Sequence, residues 1–208
     1  MSRPSELMAA TGAEAGRTEP EFTREQRQLL LGIARGAIAS GLAGEPLPDS
    51  PPSSPLSSNW HGLVAPRGVF TTLYLTGQLR GCVGYASPIR PLFRAVAETS
   101  RAAAFEDSRF WPVTPEEARE LEFSLSVLSP VFTIAASEVQ VGRHGLLISS
   151  GSRRGLLLPQ VAVEHEWDRE TFLAQTCQKA GLPLDAWRRS ATIEAFTAEV
   201  FGDDDIRS

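Results

Sequence analysis

Hydrophobic and polar residues follow two different periods along this chain, and the changes of period separate predicted helices from predicted strands. Between Thr23 and Gly41, apolar residues recur every three to four positions, which predicts an amphipathic helix with Thr23 and Gln26 as a capping box. Further helical patterns start after Pro91, at a capping box formed by Thr114 and Glu117, and at Asp168. Alternating or β-branched runs predict strands at 69–75, 78–84, 121–128, 145–149, 155–158 and 192–201.

These elements do not follow a regular strand–helix–strand rhythm. They predict an α+β fold, with an antiparallel-rich β-sheet packed against helices and room for two lobes with a groove between them. Residues 1–20 are small, polar and aperiodic, which predicts a disordered tail before a single domain at 21–204. The Pro- and Ser-rich stretch 43–57 predicts a long exposed connection, because its prolines exclude a helix or a central strand.

Charge and composition narrow the classes of partner. The 208 residues carry a net charge of −5 and no basic run, which argues against a nucleic-acid partner. No run of about 18 apolar residues is present, so the sequence predicts no membrane span. Two cysteines without an apolar leader segment predict a cytoplasmic protein that lacks a disulfide framework.

The stretch R-G-C-V-G, residues 80–84, holds the first candidate for chemistry. Gly81 and Gly84 would let a backbone or a ligand approach closely, and successive N–H groups could then point at one place. Arg80 would favour the thiolate of Cys82 and could bind a carboxylate or a phosphate. The stretch is therefore typical of a nucleophile turn, a metal-ligand turn or an anion-binding turn, but also of a strand end with a small buried thiol.

Two further stretches could supply partners for this thiol. His144, which glycines flank in G-R-H-G, could move a proton, or it could only form a local hydrogen bond in a turn. In F-E-D-S-R-F-W-P, residues 105–112, Asp107 could act as acid, base or metal ligand and Arg109 as a clamp. The alternative for this stretch is a loop whose aromatic residues fill the core.

The remaining cysteine and the common motif classes add no chemistry. Cys177 lies on the apolar face of the predicted helix at 168–180, where we expect it to pack as a small hydrophobe. Two cysteines 95 positions apart, without C-x-x-C or H-x₃-H spacing, predict no structural zinc site. Phosphate-binding and dinucleotide-binding glycine motifs are also missing, so no motif identifies a cofactor.

Taken in order, these motifs resemble the AMMECR domain family. L-R-G-C-V-G (79–84) is similar to the signature hexapeptide of that family, which usually has Ile in place of Val83. The other matching segments are 68–73, 105–114, 121–130, 142–146, 156–162 and 167–182. The chain departs from the family pattern at Tyr85, where a small Thr is common, and at Ser108, where Pro is common.

The resemblance implies two unequal lobes with the hexapeptide near a cleft. It also implies partners, because prokaryotic relatives are associated with a Memo-like protein and a radical-SAM protein in the AmmeMemoRadiSam system. Two functions stay open. The chain is either an enzyme or enzyme component, with Cys82 as nucleophile or ligand, His144 as proton carrier and a small anionic ligand held near Arg80, or a non-catalytic binding subunit of that system.

Overall fold

The structure, a computed structural model, describes residues 20–47 and 61–207. The predicted tail, apart from its last residue, and most of the predicted proline-rich connection lie outside these ranges. The described helices are α1 (Arg24–Leu42), α2 (His61–Val64), α3 (Leu92–Phe105), α4 (Pro159–Glu164), α5 (Arg169–Lys179) and α6 (Asp203–Arg207). The strands are β1 (Val69–Leu75), β2 (Gln78–Tyr85), β3 (Leu121–Leu128), β4 (Phe132–Thr133), β5 (Gly145–Ser150), β6 (Arg153–Leu157), β7 (Thr192–Phe196) and β8 (Ala198–Gly202).

The strands form two antiparallel sheets, which confirms the predicted α+β class. The first sheet has the order β2-β1-β3-β8 and the second has the order β4-β7-β5-β6. Helices α1 and α3 cover one face of the first sheet, and α5 covers one face of the second. Each sheet has a separate apolar core, so the chain forms two lobes of unequal size.

Local sequence signals place the first helix correctly. Thr23 caps α1 by accepting from the Gln26 N–H, and the Gln26 side chain accepts from the Thr23 N–H in return. The apolar face of α1 then buries Leu30, Leu31 and Ile38 against the first sheet. Among the described residues, no helix is long and apolar enough to span a membrane.

The prediction of one strand over 192–201 is wrong, because two strands lie there and belong to different sheets. The chain leaves the second sheet after Phe196 and enters the first at Ala198. It crosses between the lobes once more at Ser129, and the two crossings are bonded: Ser129 N–H donates to the Thr197 carbonyl at 2.8 Å, and Thr197 N–H donates to Ser129 Oγ at 3.0 Å. Two adjacent connections therefore tie the lobes together.

Candidate functional site

A bulge in the β1–β2 hairpin decides which way the Cys82 thiol faces. The register pairs Leu73 with Gly81 and Thr72 with Cys82, whereas Arg80 has no partner in β1. Because a bulge adds one residue to one strand, later residues of that strand move to the opposite face of the sheet. The thiol of Cys82 therefore lies on the face that α1 and α3 leave open, while Leu73 lies in the core between helices and sheet.

R-G-C-V-G is thus the interior of a strand rather than the turn that the sequence suggested. Neither Gly81 nor Gly84 has a positive φ. Both glycines are required by close packing: a Cβ on Gly81 would come within 2.2 Å of the Ala103 carbonyl oxygen of α3, and one on Gly84 would come within 2.4 Å of the Phe70 ring. Their small size serves the contacts of β2 with α3 and β1.

Four small residues line up across the open face of the first sheet. Cys82, Thr72, Ser124 and Gly202 stand opposite one another in four neighbouring strands, which are about 4.8 Å apart. The Thr72 hydroxyl donates a hydrogen bond to Cys82 Sγ at 3.3 Å, and Cys82 is half-buried. This row, which we call the Cys82 row, presents a thiol, two hydroxyls and a bare backbone on one surface.

The backbone of Cys82 is held by side chains of the loop that follows α3. Strand β2 is an edge of its sheet, where alternate backbone groups lack a strand partner. Asp107 Oδ2 accepts from the Cys82 N–H at 2.9 Å, and Arg109 Nη2 donates to the Cys82 carbonyl at 3.2 Å. Arg109 also donates to both carboxylate oxygens of Asp107, from Nε at 2.9 Å and from Nη2 at 2.7 Å. The pair therefore closes the edge of the strand at Cys82.

This contact sets the charge state of both side chains. Hydrogen bonds from the Arg109 guanidinium hold the pKa of the Asp107 carboxyl far below its usual range, and the Cys82 N–H adds to the effect. The pKa of Arg109 is raised mainly by Asp107, and the nearby Cys82 thiol contributes. The Asp107 side chain is only 6% exposed, whereas that of Arg109 is 55% exposed. Asp107 is therefore a permanent carboxylate, fully engaged in holding Cys82 and Arg109.

Arg80, predicted to bind an anion, binds a carboxylate of the chain itself. Its Nε and Nη2 donate to the two oxygens of Glu117 at 3.0 and 2.9 Å. These hydrogen bonds lower the pKa of Glu117. The guanidinium groups of Arg80 and Arg109 lie 5.9 and 5.5 Å from the centre of the Phe110 ring, so the ring lies within cation–π distance of both.

The alternative interpretation of 105–112 predicts that all the aromatic residues of this loop fill the core, but only some of them do. Phe105 packs against the first core, and Phe110 is half-buried. Trp111 is 88% exposed, so the prediction is wrong for this residue. A large exposed aromatic side chain thus follows Arg109 by two residues in this loop.

His144 belongs to the other lobe. Its Nδ1 accepts from the Gln140 N–H at 3.2 Å, and its ring packs edge-on against Phe132 at 5.9 Å. Burial, and then the charge of Arg143, lower its pKa. In the described part of the chain it shares no hydrogen bond, ring contact or cavity with Cys82, so the structure does not bring the expected proton carrier to the thiol. Instead, the local turn hydrogen bond that the sequence allowed is present.

A cavity of about 320 Å³ lies between the two lobes, but its walls differ from those that the sequence predicted for a cleft. Residues from the starts and ends of first-lobe strands line one side, and β5, β6 and β7 line the other. The site residues that the sequence predicts do not line this cavity; they are Cys82, His144, Arg80, Gly81, Gly84, Asp107 and Arg109. Tyr85 and Ser108, where the chain departs from the family pattern, do not line it either.

Sequence reasoning missed the two nearest partners of the candidate site. Thr72 could be recognised only with the bulge, because an unbroken hairpin pairs it with Gly81. The sequence predicts Glu117 only as part of a helix cap. That cap is present, because Thr114 and Glu117 exchange both capping hydrogen bonds. The cap also binds Arg80. Among the side chains that the structure describes, no three or more His, Cys, Asp or Glu converge to hold a metal ion.

Comparison with known proteins places the whole arrangement in one family. A protein of Methanothermobacter thermautotrophicus is 41% identical over 194 residues, covering 88% of this chain and 97% of that protein. A protein of Methanopyrus kandleri is 38% identical, covering 89% and 92%. The crystal structure of the uncharacterised protein PH0010 from Pyrococcus horikoshii is 40% identical, with a TM-score of 0.64 over 84% of this chain and 90% of that one. The AMMECR1 family model matches residues 31–201, and the chain therefore belongs to the AMMECR1 family.

Proposed function

We propose that this AMMECR1 protein is an enzyme component in which Cys82 provides a functional thiol, and that it acts with a Memo-like and a radical-SAM partner. The observation that carries the proposal is the construction around Cys82. Asp107 and Arg109 fix both outward backbone groups, and Thr72 donates to the sulfur. The partners rest on the resemblance of the sequence to the AmmeMemoRadiSam proteins.

The arrangement suits a nucleophilic thiol on an open surface. The Thr72 hydroxyl donates to the sulfur, and Arg109 donates to the backbone carbonyl of the same residue. In an acyl transfer, the S–C bond forms as the bond to the leaving group breaks, and the leaving group departs with the thiol proton. With His144 in the other lobe, a water molecule carries that proton from the sulfur to the leaving group. The open face gives a partner-borne substrate access to the sulfur.

The experiment is site-resolved alkylation of the folded protein by iodoacetamide, read by mass spectrometry. Cys177 is an internal control, because it is fully buried and burial raises the pKa of its thiol. We expect Cys82 to react much faster than Cys177. Thr72→Val, which keeps the shape and removes the donor, should slow Cys82 about fivefold, the equivalent of one hydrogen bond of about 1 kcal/mol. Equal rates for Cys82 in Thr72→Val and in the original protein would remove the functional role of this contact.

A second candidate function, a non-catalytic binding subunit, is favoured by Trp111. Tryptophan is enriched among the residues that dominate protein interfaces, and this one is 88% exposed and lies two residues after Arg109 in the sequence. The test is co-purification with the Memo-like and radical-SAM proteins of the same organism. Loss of binding in Trp111→Ala, with binding kept in Cys82→Ala and in the control Leu184→Ala, would support this function over the thiol function. Leu184 is a suitable control because it is also apolar and exposed.

A further inference from the structure

The interlobe cavity has apolar walls from both lobes. From the second sheet, Leu147 and Phe196 are buried and Leu156 is half-buried. From the first lobe and the connection after β3, Leu128 and Val131 complete the apolar lining. A volume of about 320 Å³ lies at the lower end of the range of roughly 300–1,000 Å³ that is usual for small-molecule sites. The space therefore fits a small molecule with an apolar side chain.

Three charged side chains line this space, and only one of them is engaged by the chain. Arg67 donates to the Leu128 carbonyl and forms an ion pair with Glu21. The side chains of Glu194 and Arg154 form no hydrogen bond or ion pair with any other described residue. Glu194 is half-buried, and a carboxylate next to apolar walls is unfavourable without a hydrogen-bond donor.

The positions of these two side chains follow from the strand register. Glu194 in β7 stands opposite Leu147 of β5, and Arg154 in β6 stands opposite Ser149 of β5. Two strand spacings and two residues along the strand place their Cα atoms about 12 Å apart on the same face of the sheet. At that separation, the carboxylate and the guanidinium can lean toward each other over Leu147 and leave space for one small molecule between them.

We infer that the interlobe cavity binds a small zwitterion with an apolar side chain, in the size class of an amino acid. Glu194 would accept from its ammonium group, Arg154 would donate to its carboxylate, and the leucine and phenylalanine walls would cover its side chain. This site is separate from the Cys82 row, because no residue of the row lines the cavity. It therefore stands or fails independently of the proposed thiol function.

The experiment is isothermal titration of the full chain with three probes that share the same five-carbon apolar chain: L-norleucine, pentylamine and hexanoate. We expect norleucine to bind at least ~10-fold more tightly than either single-charge probe, since each lost charge-assisted hydrogen bond weakens binding roughly 10- to 100-fold. Glu194→Gln and Arg154→Gln should each weaken norleucine binding by a similar factor. The controls Glu164→Gln and Arg189→Gln, which remove charges outside the cavity, should leave it unchanged.

Three results would overturn the inference. They are no binding of norleucine, binding of pentylamine or hexanoate as tight as that of norleucine, and unchanged binding in both cavity variants. Circular dichroism identifies a variant that has lost its fold. In that case Leu156→Phe gives the answer, because a larger ring at this half-buried position fills the cavity without changing a charge. It should abolish norleucine binding, and retained binding would place the ligand elsewhere.

Discussion

The contact between Asp107 and the edge of β2 can be tested by replacing a single functional group. Asp107→Asn keeps the size of the side chain, removes its charge and turns one acceptor oxygen into an NH₂ donor. In the original protein, one oxygen of Asp107 accepts from the Cys82 N–H, and both oxygens accept from Arg109. In either orientation of the asparagine, its NH₂ group faces the Cys82 N–H or an N–H of Arg109, so at least one hydrogen bond is lost.

The magnitude follows from burial. The Asp107 side chain is 6% exposed, and a hydrogen bond to a charged group contributes roughly 1.5–3 kcal/mol to stability. Arg109 is 55% exposed, so in the variant water replaces part of the hydrogen bonding that Asp107 provides. We therefore count only part of the free energy of the Asp107–Arg109 hydrogen bonds. The expected loss in the free energy of unfolding is about 2 kcal/mol at pH 7. For a protein of this length, that loss lowers the melting temperature by about 4–8 °C.

The effect should depend on pH in one direction. Because the folded state lowers the pKa of Asp107, its contribution to stability is fully present above the ordinary aspartate value of about 3.9 and is lost as the pH falls below it. The difference between the original protein and Asp107→Asn should therefore be largest near neutral pH and shrink below about pH 4.

The assay is urea denaturation followed by tryptophan fluorescence, at pH 7 and at pH 3.5. Asp185→Asn is the matched control, since Asp185 also pairs with an arginine but both partners are exposed; its change should stay within about 0.5 kcal/mol. An Asp107→Asn protein as stable as the control variant, or a difference that does not shrink at pH 3.5, would refute the role of Asp107 in holding β2.

Two further predictions concern packing and protonation. Gly81→Ala should destabilise the protein by roughly 2–3 kcal/mol, because the new methyl group meets the backbone of Ala103. Gly32→Ala should stabilise it by about 0.5–1 kcal/mol, because Gly32 lies inside α1 and no atom would crowd the new methyl group. Thermal unfolding of both variants checks this pair, and a Gly81→Ala protein as stable as the original would contradict the prediction. His144 should titrate below pH 6.5 in a nuclear magnetic resonance pH series, because burial lowers its pKa. Its contribution to stability should therefore be present above pH 6.5 and decrease as the pH falls. A titration midpoint at or above pH 6.5 would contradict the burial of its ring.

Signals that depend on neighbouring residues were reliable in this chain. The capping boxes at Thr23 and Thr114, and the buried Cys177, were all predicted and are present, because a cap or an apolar helix face is specified by residues three or four positions apart. Trp111 was assigned to the core on its apolar character alone and is exposed. Hydrophobicity does not specify burial when no neighbouring element covers the residue.

The pattern of hydrophobic and polar residues did not predict features that depend on contacts between distant parts of the chain. The run 192–201 contains no Gly, Pro, Asn or Asp, so no turn residue marks Thr197 as the point where the chain passes from one sheet to the other. Glycine flanks suggested a common site for Cys82 and His144, but Gly145 serves a different purpose, since a Cβ there would come within 2.2 Å of the Phe196 ring. Similar local sequences thus arise from unrelated packing needs in the two lobes.

The sequence by itself determined most of the long helices and strands, the α+β class and the presence of a thiol in the second strand of a hairpin. It did not determine which face of the sheet that thiol occupies. A hairpin without a bulge would place Cys82 opposite Thr71, beneath α3, whereas the unpaired Arg80 places it opposite Thr72 on the open face. That choice is made by the tertiary structure, because Gly81 must lie against the α3 backbone and Arg80 must reach Glu117, a contact between segments 37 positions apart.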